Sequence, residues 1–445
     1  MERIKLGSLN FSFQRATYYH INGGILLMGI VLISLILANS PYSEFYTSFW
    51  NKEVHLQIGE FNFFSHNGHH MTLMNFINDA LMTIFFFTVG LEIKREILVG
   101  ELSTFRQAVL PVFAACGGML VPVVIFFFLT KGTDAANGLA IPMATDIAFS
   151  LGILSLFGKR VPMSLKIFLT AFAVVDDIGG ILVIALFYSS HIDISYLLYS
   201  AGVLFLLCIG NHRHIHNKWY YLGLGFVMWY LFLQSGIHAT IAGVIVAFTV
   251  PATPHYKIGK YINNIKENIS MFPGNNNEGI VLNKMQINVL KNIESSSDRV
   301  ISPLQSLEDS LHGLVNYIII PLFAFANAGV IINSNGGLVE IGTITWAIIA
   351  GLVLGKFIGI YLFSFILIKM KITPMLKGMT WKNLMGISLL GGIGFTVSLF
   401  IADLSFSSSP VLLNQAKLGV LGGTFLAACM AYLVLHFTLP KKTAD

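Results

Sequence analysis

The chain has 445 residues, of which 55% are hydrophobic and only 11% charged, with a mean hydropathy of +0.73 and a net charge of +5. A water-soluble globule carries roughly 25% charged residues, so much of this surface must face lipid. The apolar runs are continuous, which excludes the alternating strands of a transmembrane β-barrel, and Cys116, Cys208 and Cys429 lie too far apart in apolar segments for a disulfide framework or a thiolate metal site.

Spanning a bilayer core takes roughly 20 apolar residues of helix. On that measure the chain divides into about twelve spans, an all-α membrane protein. After a polar segment, 1–20, the first span falls near 21–39. It lacks a small-residue cleavage site and reads as a span, not a signal peptide. Residues 40–71 form a long connection whose "EVHLQIGEFNF" alternates about Gly59, the pattern of a small β-hairpin near 45–70. Spans near 72–91, 107–130, 138–157, 164–188, 194–210, 219–233 and 236–251 complete a first membrane block, 21–251. Residues 252–310 are polar and contain "PGNNNEG" and "ESSSD", which predicts a loosely ordered insertion. A second block, 311–438, holds spans near 311–330, 344–368, 383–402 and 415–438, and a short tail, 439–445, ends the chain.

Lysine and arginine orient the spans. Of the 27 such residues, 22 fall on one set of connections, whereas only Lys52 and Lys131 fall on the other. The positive-inside rule then makes both termini cytoplasmic and independently requires an even number of spans.

Two spans are expected to be interrupted. Pro142 breaks "AIPMATDIAFSLG", and "GISLLGGIGFTVSLF" holds Gly386, Gly391, Gly392 and Gly394. Interrupted helices in corresponding positions of two halves mark a transporter site at the membrane midplane. There, Asp146 is expected near helix N-termini and Lys356 near C-terminal carbonyls, each opposing a partial charge.

Ionisable residues deep in a span cost about 2.5–3.5 kcal/mol each on insertion scales. Asp79, Asp146, Asp176, Asp177 and Lys356 all lie in apolar runs. A lone Asp79 reads most simply as a structural hydrogen bond or ion pair between helices. The other four together read as an ion site. Neighbouring helical residues point about 100° apart, so one of Asp176 and Asp177 can face a cation while the other faces a lysine or a second helix. Two close carboxylates in a poorly solvated cavity resist ionising together and titrate as a unit, so the site takes protons when it is empty of cation. Oxygen ligands suit a hard cation such as Na⁺.

At these residues the sequence resembles the NhaA family of bacterial sodium/proton antiporters, through "FINDALMTIFFFTVGLEIKREILVGEL", "AIPMATDIAFSLGILSL", "FLTAFAVVDDIGGILVIALFY", "GIHATIAGVIVAFTVP", "IIPLFAFANAG", "GLVLGKFIGI" and "GGIGFTVSLFIADL". The resemblance covers nearly the whole chain. It implies about twelve helices in inverted-topology repeats with two broken helices that cross. It implies Asp177 and Asp176 as ligands of transported Na⁺, Asp146 with Thr145 at the crossing, and Lys356 as partner of an aspartate or proton carrier. Glu92, Lys94, Arg95 and Glu96, with Glu308 and His312, match a cytoplasmic pH-activation cluster, and His238 matches a histidine linked to pH response. Two features depart from the family pattern: Asp309 follows Glu308 where a histidine is usual, and the 252–310 insertion is longer.

The resemblance implies an electrogenic, pH-regulated exchange of cytoplasmic Na⁺ or Li⁺ for external protons, without a cofactor. It places the chain in the bacterial inner membrane, as a homodimer joined through the outer hairpin. The competing expectation is a sodium-coupled symporter of an organic solute. Enzymes are disfavoured: position 180 is Gly180, which spoils a D-D-x-x-D run, and Asp176 follows "FAVV" instead of the G-x-G of an intramembrane aspartyl protease.

Overall fold

The computed structural model describes residues 23–440, apart from 25, 56, 59–60, 63, 67–68, 189–191, 255–257, 271–283, 335–336 and 339–340. The 1–20 segment, most of the 439–445 tail and the expected hairpin centre at Gly59 lie outside the described residues. Helix dominates what is described. Among the described residues, strand pairing comes to three two-residue antiparallel ladders, Gln57–Ile58 with Phe61–Asn62, Ser65–His66 with His69–His70, and Asn333–Ser334 with Gly337–Leu338, and an isolated antiparallel bridge, Glu53 with Thr72.

Among the described residues, seven helices are long and apolar enough to cross a membrane, or up to ten if each of three bent pairs is one span. In chain order the helices are α1 (Leu26–Ala38), α2 (Ser43–Trp50), α3 (Leu73–Val99), α4 (Phe105–Thr130), α5 (Ile147–Ser155), α6 (Met163–Phe187), α7 (Ile194–His212), α8 (Lys218–Ser235), α9 (Thr240–Thr249), α10 (Ile258–Ser270), α11 (Lys284–Val300), α12 (Pro303–Asn327), α13 (Thr343–Lys369), α14 (Trp381–Leu390), α15 (Phe395–Phe406) and α16 (Pro410–Thr438). The chain is a multi-pass membrane protein.

Three expectations need correction. The start of the stretch expected as a hairpin is helical: α2 turns by 112° from α1, and Tyr46 and Trp50 on it are buried against Phe325. The 252–310 insertion is not loosely ordered throughout. Isoleucines recur along α10 at Ile262, Ile265 and Ile269, a helical spacing, and α10 packs against α11. The ninth span begins earlier than 311, because Ser302 caps α12 by accepting from Gln305 N–H and Pro303 takes its first position.

Small residues let helices approach where the site needs them. Gly117 on α4 and Gly359 on α13 face each other, and a Cβ on either would run into the other's backbone carbonyl. Gly243 on α9 meets the Thr83 carbonyl on α3 in the same way. Such contacts replace the hydrophobic driving force that lipid does not supply.

Candidate ion-binding site

The span expected near 138–157 is broken as its proline suggests. Ile141–Met143 form a tight 3₁₀ turn, Ala144 is extended (φ −79°, ψ 151°), and α5 starts at Ile147, with a 45° bend across the break. The glycine-rich span breaks after Leu390, and α14 and α15 meet at 42°. The two breaks cross and bond to one another. Asp146 N–H donates to the Ile393 carbonyl at 2.6 Å, Thr145 Oγ1 to the Gly391 carbonyl at 2.7 Å, Ser150 Oγ to the Leu390 carbonyl at 2.9 Å and Ser398 Oγ to the Ile141 carbonyl at 2.7 Å. Backbone groups freed by breaking a helix in lipid must find partners inside the protein, and here each break supplies the other's. A Cβ at Gly394 would collide with Ser398 Oγ and crowd the Ala144 carbonyl, so a larger residue there would force the crossing apart.

Asp146 serves two helix N-termini. Its Oδ1 accepts from Phe149 N–H at 2.9 Å, capping α5. Its Oδ2 accepts from Thr396 N–H at 3.2 Å and Thr396 Oγ1 at 2.6 Å, at the start of α15. A carboxylate between two N-termini is stabilised by both sets of unpaired amides. Lys356 Nζ lies 2.7 Å from Asp176 Oδ2, with both side chains fully buried, and donates to Thr145 Oγ1 at 3.0 Å. The lysine does not bond a C-terminal carbonyl directly: Thr145 relays it to Gly391. The Nζ also lies 5.6 Å from the centre of the Phe172 ring. A π-turn, Gly351–Gly355, directly precedes Lys356, and such widened turns recur at functional sites.

Asp176 and Asp177 diverge as adjacent helical residues must. Asp176 takes the lysine with one oxygen, and its Oδ1 is buried without a hydrogen-bond partner among the described residues. Asp177 lines a cavity of about 230 Å³ together with Thr145, Asp146 and Thr396. Glu92, Arg95, Glu308 and His312 line the same cavity. A second, wider one of about 530 Å³ shares Glu92 and Arg95 with it and adds Glu96 and Lys166. Asp177 and the end cluster thus line the same cavity, and Glu92 and Arg95 border the second one as well.

At that end Arg95 Nε donates to both Glu308 oxygens, at 2.9 and 3.1 Å, and Arg95 pairs with Glu96 at 2.9 Å. Lys94 turns away and donates to the Phe248 and Val250 carbonyls at the C-terminus of α9, a capping role. His238 joins neither group. Its Nε2 lies 3.5 Å from Asp79 Oδ1 and its Nδ1 2.8 Å from Thr240 Oγ1, so Asp79 and His238 form a pair of their own. Sequence reasoning missed Thr396, the second-half partner of Asp146, although its hydroxyl two residues after Gly394 was a legible signal. It also missed Asn78, which donates to Asp403 Oδ2 at 2.7 Å and accepts from Asn327 at 2.9 Å.

Interrupted helices that cross, with a buried lysine and three buried carboxylates between them, define a membrane transporter and not an enzyme. The model of the family described as "Na+/H+ antiporter 1" matches residues 14–435, and the chain belongs to that family. It is 73% identical, over the full length of both chains, to a protein of Phocaeicola vulgatus named Na(+)/H(+) antiporter NhaA. It is 60% identical to one of that name from Bacteroides fragilis, over 95% of this chain and 97% of the relative. A Helicobacter pylori protein of that name is 43% identical over 95% of this chain and 94% of the relative.

Proposed function

We propose that this protein exchanges cytoplasmic Na⁺ or Li⁺ for external protons by alternating access, electrogenically and under pH control, in the bacterial inner membrane, for sodium and pH homeostasis. The observation that carries this reading is Asp177 on a polar cavity beside the buried Asp176–Lys356 pair. A cation entering mid-membrane must exchange its water for fixed oxygens, and Asp177, Asp176, Thr145 and Asp146 supply them. When the cation leaves, protons neutralise those oxygens, because bare charge in a low-dielectric barrier is costly. Cation or protons therefore occupy the site in turn, and net charge moves if more protons enter than cations leave. Lys356 balances Asp176 in the cation-free state and is the group that either carries a proton or serves as a fixed partner.

Glu92, Arg95, Glu96, Glu308 and His312 are the proposed pH-regulatory group, since Glu92, Arg95, Glu308 and His312 line the cavity that holds Asp177 and Arg95 pairs with both Glu96 and Glu308. His238 belongs to pH response only through Asp79. The proposed topology has twelve spans in inverted repeats. That count takes α8 and the shorter apolar helix α9 as spans beside the ten; an even number puts both termini on one side, and the lysine and arginine bias makes that side the cytoplasm. The connection before α3 is the proposed outer homodimer contact.

The decisive experiment is Na⁺-driven proton movement in everted vesicles without organic solute, scanned over pH. Antiport without solute is expected, which a symporter would not give. Apparent Na⁺ affinity is expected to weaken as pH falls, because a protonated carboxylate is a poor ligand. Affinity that stays flat from mildly acid to alkaline pH would overturn the shared site.

A further inference from the structure

We propose that Glu53, His55 and His70, on the connection between α2 and α3, form a binding site for a divalent transition-metal ion of the zinc type, separate from the transported cation.

The placement follows from strand register. Val54 N–H donates to the Met71 carbonyl at 2.8 Å, Leu73 N–H donates to the Lys52 carbonyl at 2.8 Å, and Glu53 bridges Thr72 antiparallel. In that register His55 stands directly opposite His70. Residues two apart in an extended chain share a face, so Glu53 joins them on it. The two imidazole rings lie 4.9 Å apart, centre to centre. His55 Nε2 is 3.3 Å from Glu53 Oε2, and one donor atom from each of the three residues lies within 4.8 Å of the others.

These distances suit a tetrahedral ion. Bonds of about 2.0–2.2 Å place neighbouring donors about 3.3–3.6 Å apart. The Glu53–His55 edge already has that length, and His70 need close by no more than about 1.5 Å to complete a face of the same tetrahedron. All three side chains are exposed, so a rotamer change suffices, and water takes the fourth position. Two imidazoles and one carboxylate select zinc, copper or nickel over Na⁺, Mg²⁺ or Ca²⁺, which prefer all-oxygen sites. A plain His55–Glu53 ion pair accounts for less. Both partners are about half exposed (53% and 52%), where such a pair contributes little. A bound ion would tie the strand after α2 to the residues just before α3, the helix that carries Asp79, Glu92 and Arg95.

The test uses full-length, tag-free protein in detergent, stripped with a chelator and titrated with Zn²⁺ against a chromophoric zinc indicator. One saturable equivalent per chain is expected. His55→Ala/His70→Ala is expected to weaken binding about tenfold or more, since even outer-sphere partners cost about 10–100-fold, with Glu53→Gln between the two. Co²⁺ should give visible absorption bands that disappear in the double variant. If the alanine pair does not fold, His70→Gln alone carries the same comparison. Binding well below one equivalent, or binding by the variant within twofold of the parent, would overturn the site.

Discussion

The crossing and the cluster around Arg95 both set acids against a base, and they differ in burial. Lys356 and Asp176 are completely buried, whereas Arg95 is 32% exposed and Glu308 16%. A buried pair strongly resists losing one partner, because the remaining charge has no water to return to. A partly exposed pair is screened and replaceable. Nature of the residues is therefore a poor guide to their weight. In the proposed mechanism the fully buried pair serves the step that must not leak, and the wetter cluster serves adjustment by pH.

Substitutions sharpen this contrast. The largest effect is expected at Asp177. Asp177→Asn keeps shape but loses both the charge and the proton site, so Na⁺-dependent proton movement should fall to background at every pH while the protein inserts and purifies normally. Near-parental exchange by a correctly folded variant would break the account. Asp177→Glu should retain weak exchange with poorer cation affinity.

Lys356→Ala comes next. It strands the Asp176 carboxylate at a cost on the order of 3–5 kcal/mol, read as a lower unfolding midpoint in detergent. Lys356→Met/Asp176→Leu should recover part of that loss, because no lone charge remains. A double variant no more stable than Lys356→Ala would argue against a tight pair. If Lys356→Ala keeps full stability but changes electrogenicity, the lysine is a proton carrier instead.

Thr396→Val removes a hydroxyl bond to the Asp146 carboxylate and should cost about 1.5–3 kcal/mol, with weaker Na⁺ affinity. The Thr396 N–H bond remains, so the crossing should persist. Arg95→Ala should be the mildest. Stability should change by about 1 kcal/mol or less, while the pH profile of exchange moves. A stability loss as large as that of Lys356→Ala would erase the contrast between the two regions.

Much of the fold was legible because lipid imposes a simple rule: about twenty apolar residues make a span. The intramembrane charges stood out for the same reason, as did both interruptions, through Pro142 and the glycines at 391–394. Less was legible where the determinant was a contact. α10 and α11 lie in a segment whose polar composition suggested loose order, yet the two helices form and pack against each other. His238 matched a pH-response pattern, but packing gives it to Asp79.

The sequence by itself determined that this chain enters a membrane and that its interior carries aspartates and a lysine, since each follows from the cost of moving groups between water and hydrocarbon. Only the tertiary structure decided which charge meets which: Asp176 to Lys356, Asp146 to two helix ends and Thr396, and Asp177 to the cavity. Those partners lie far apart along the chain, and hydrogen bonds and ion pairs act over about 3 Å. No local pattern encodes such a distance until the helices have packed.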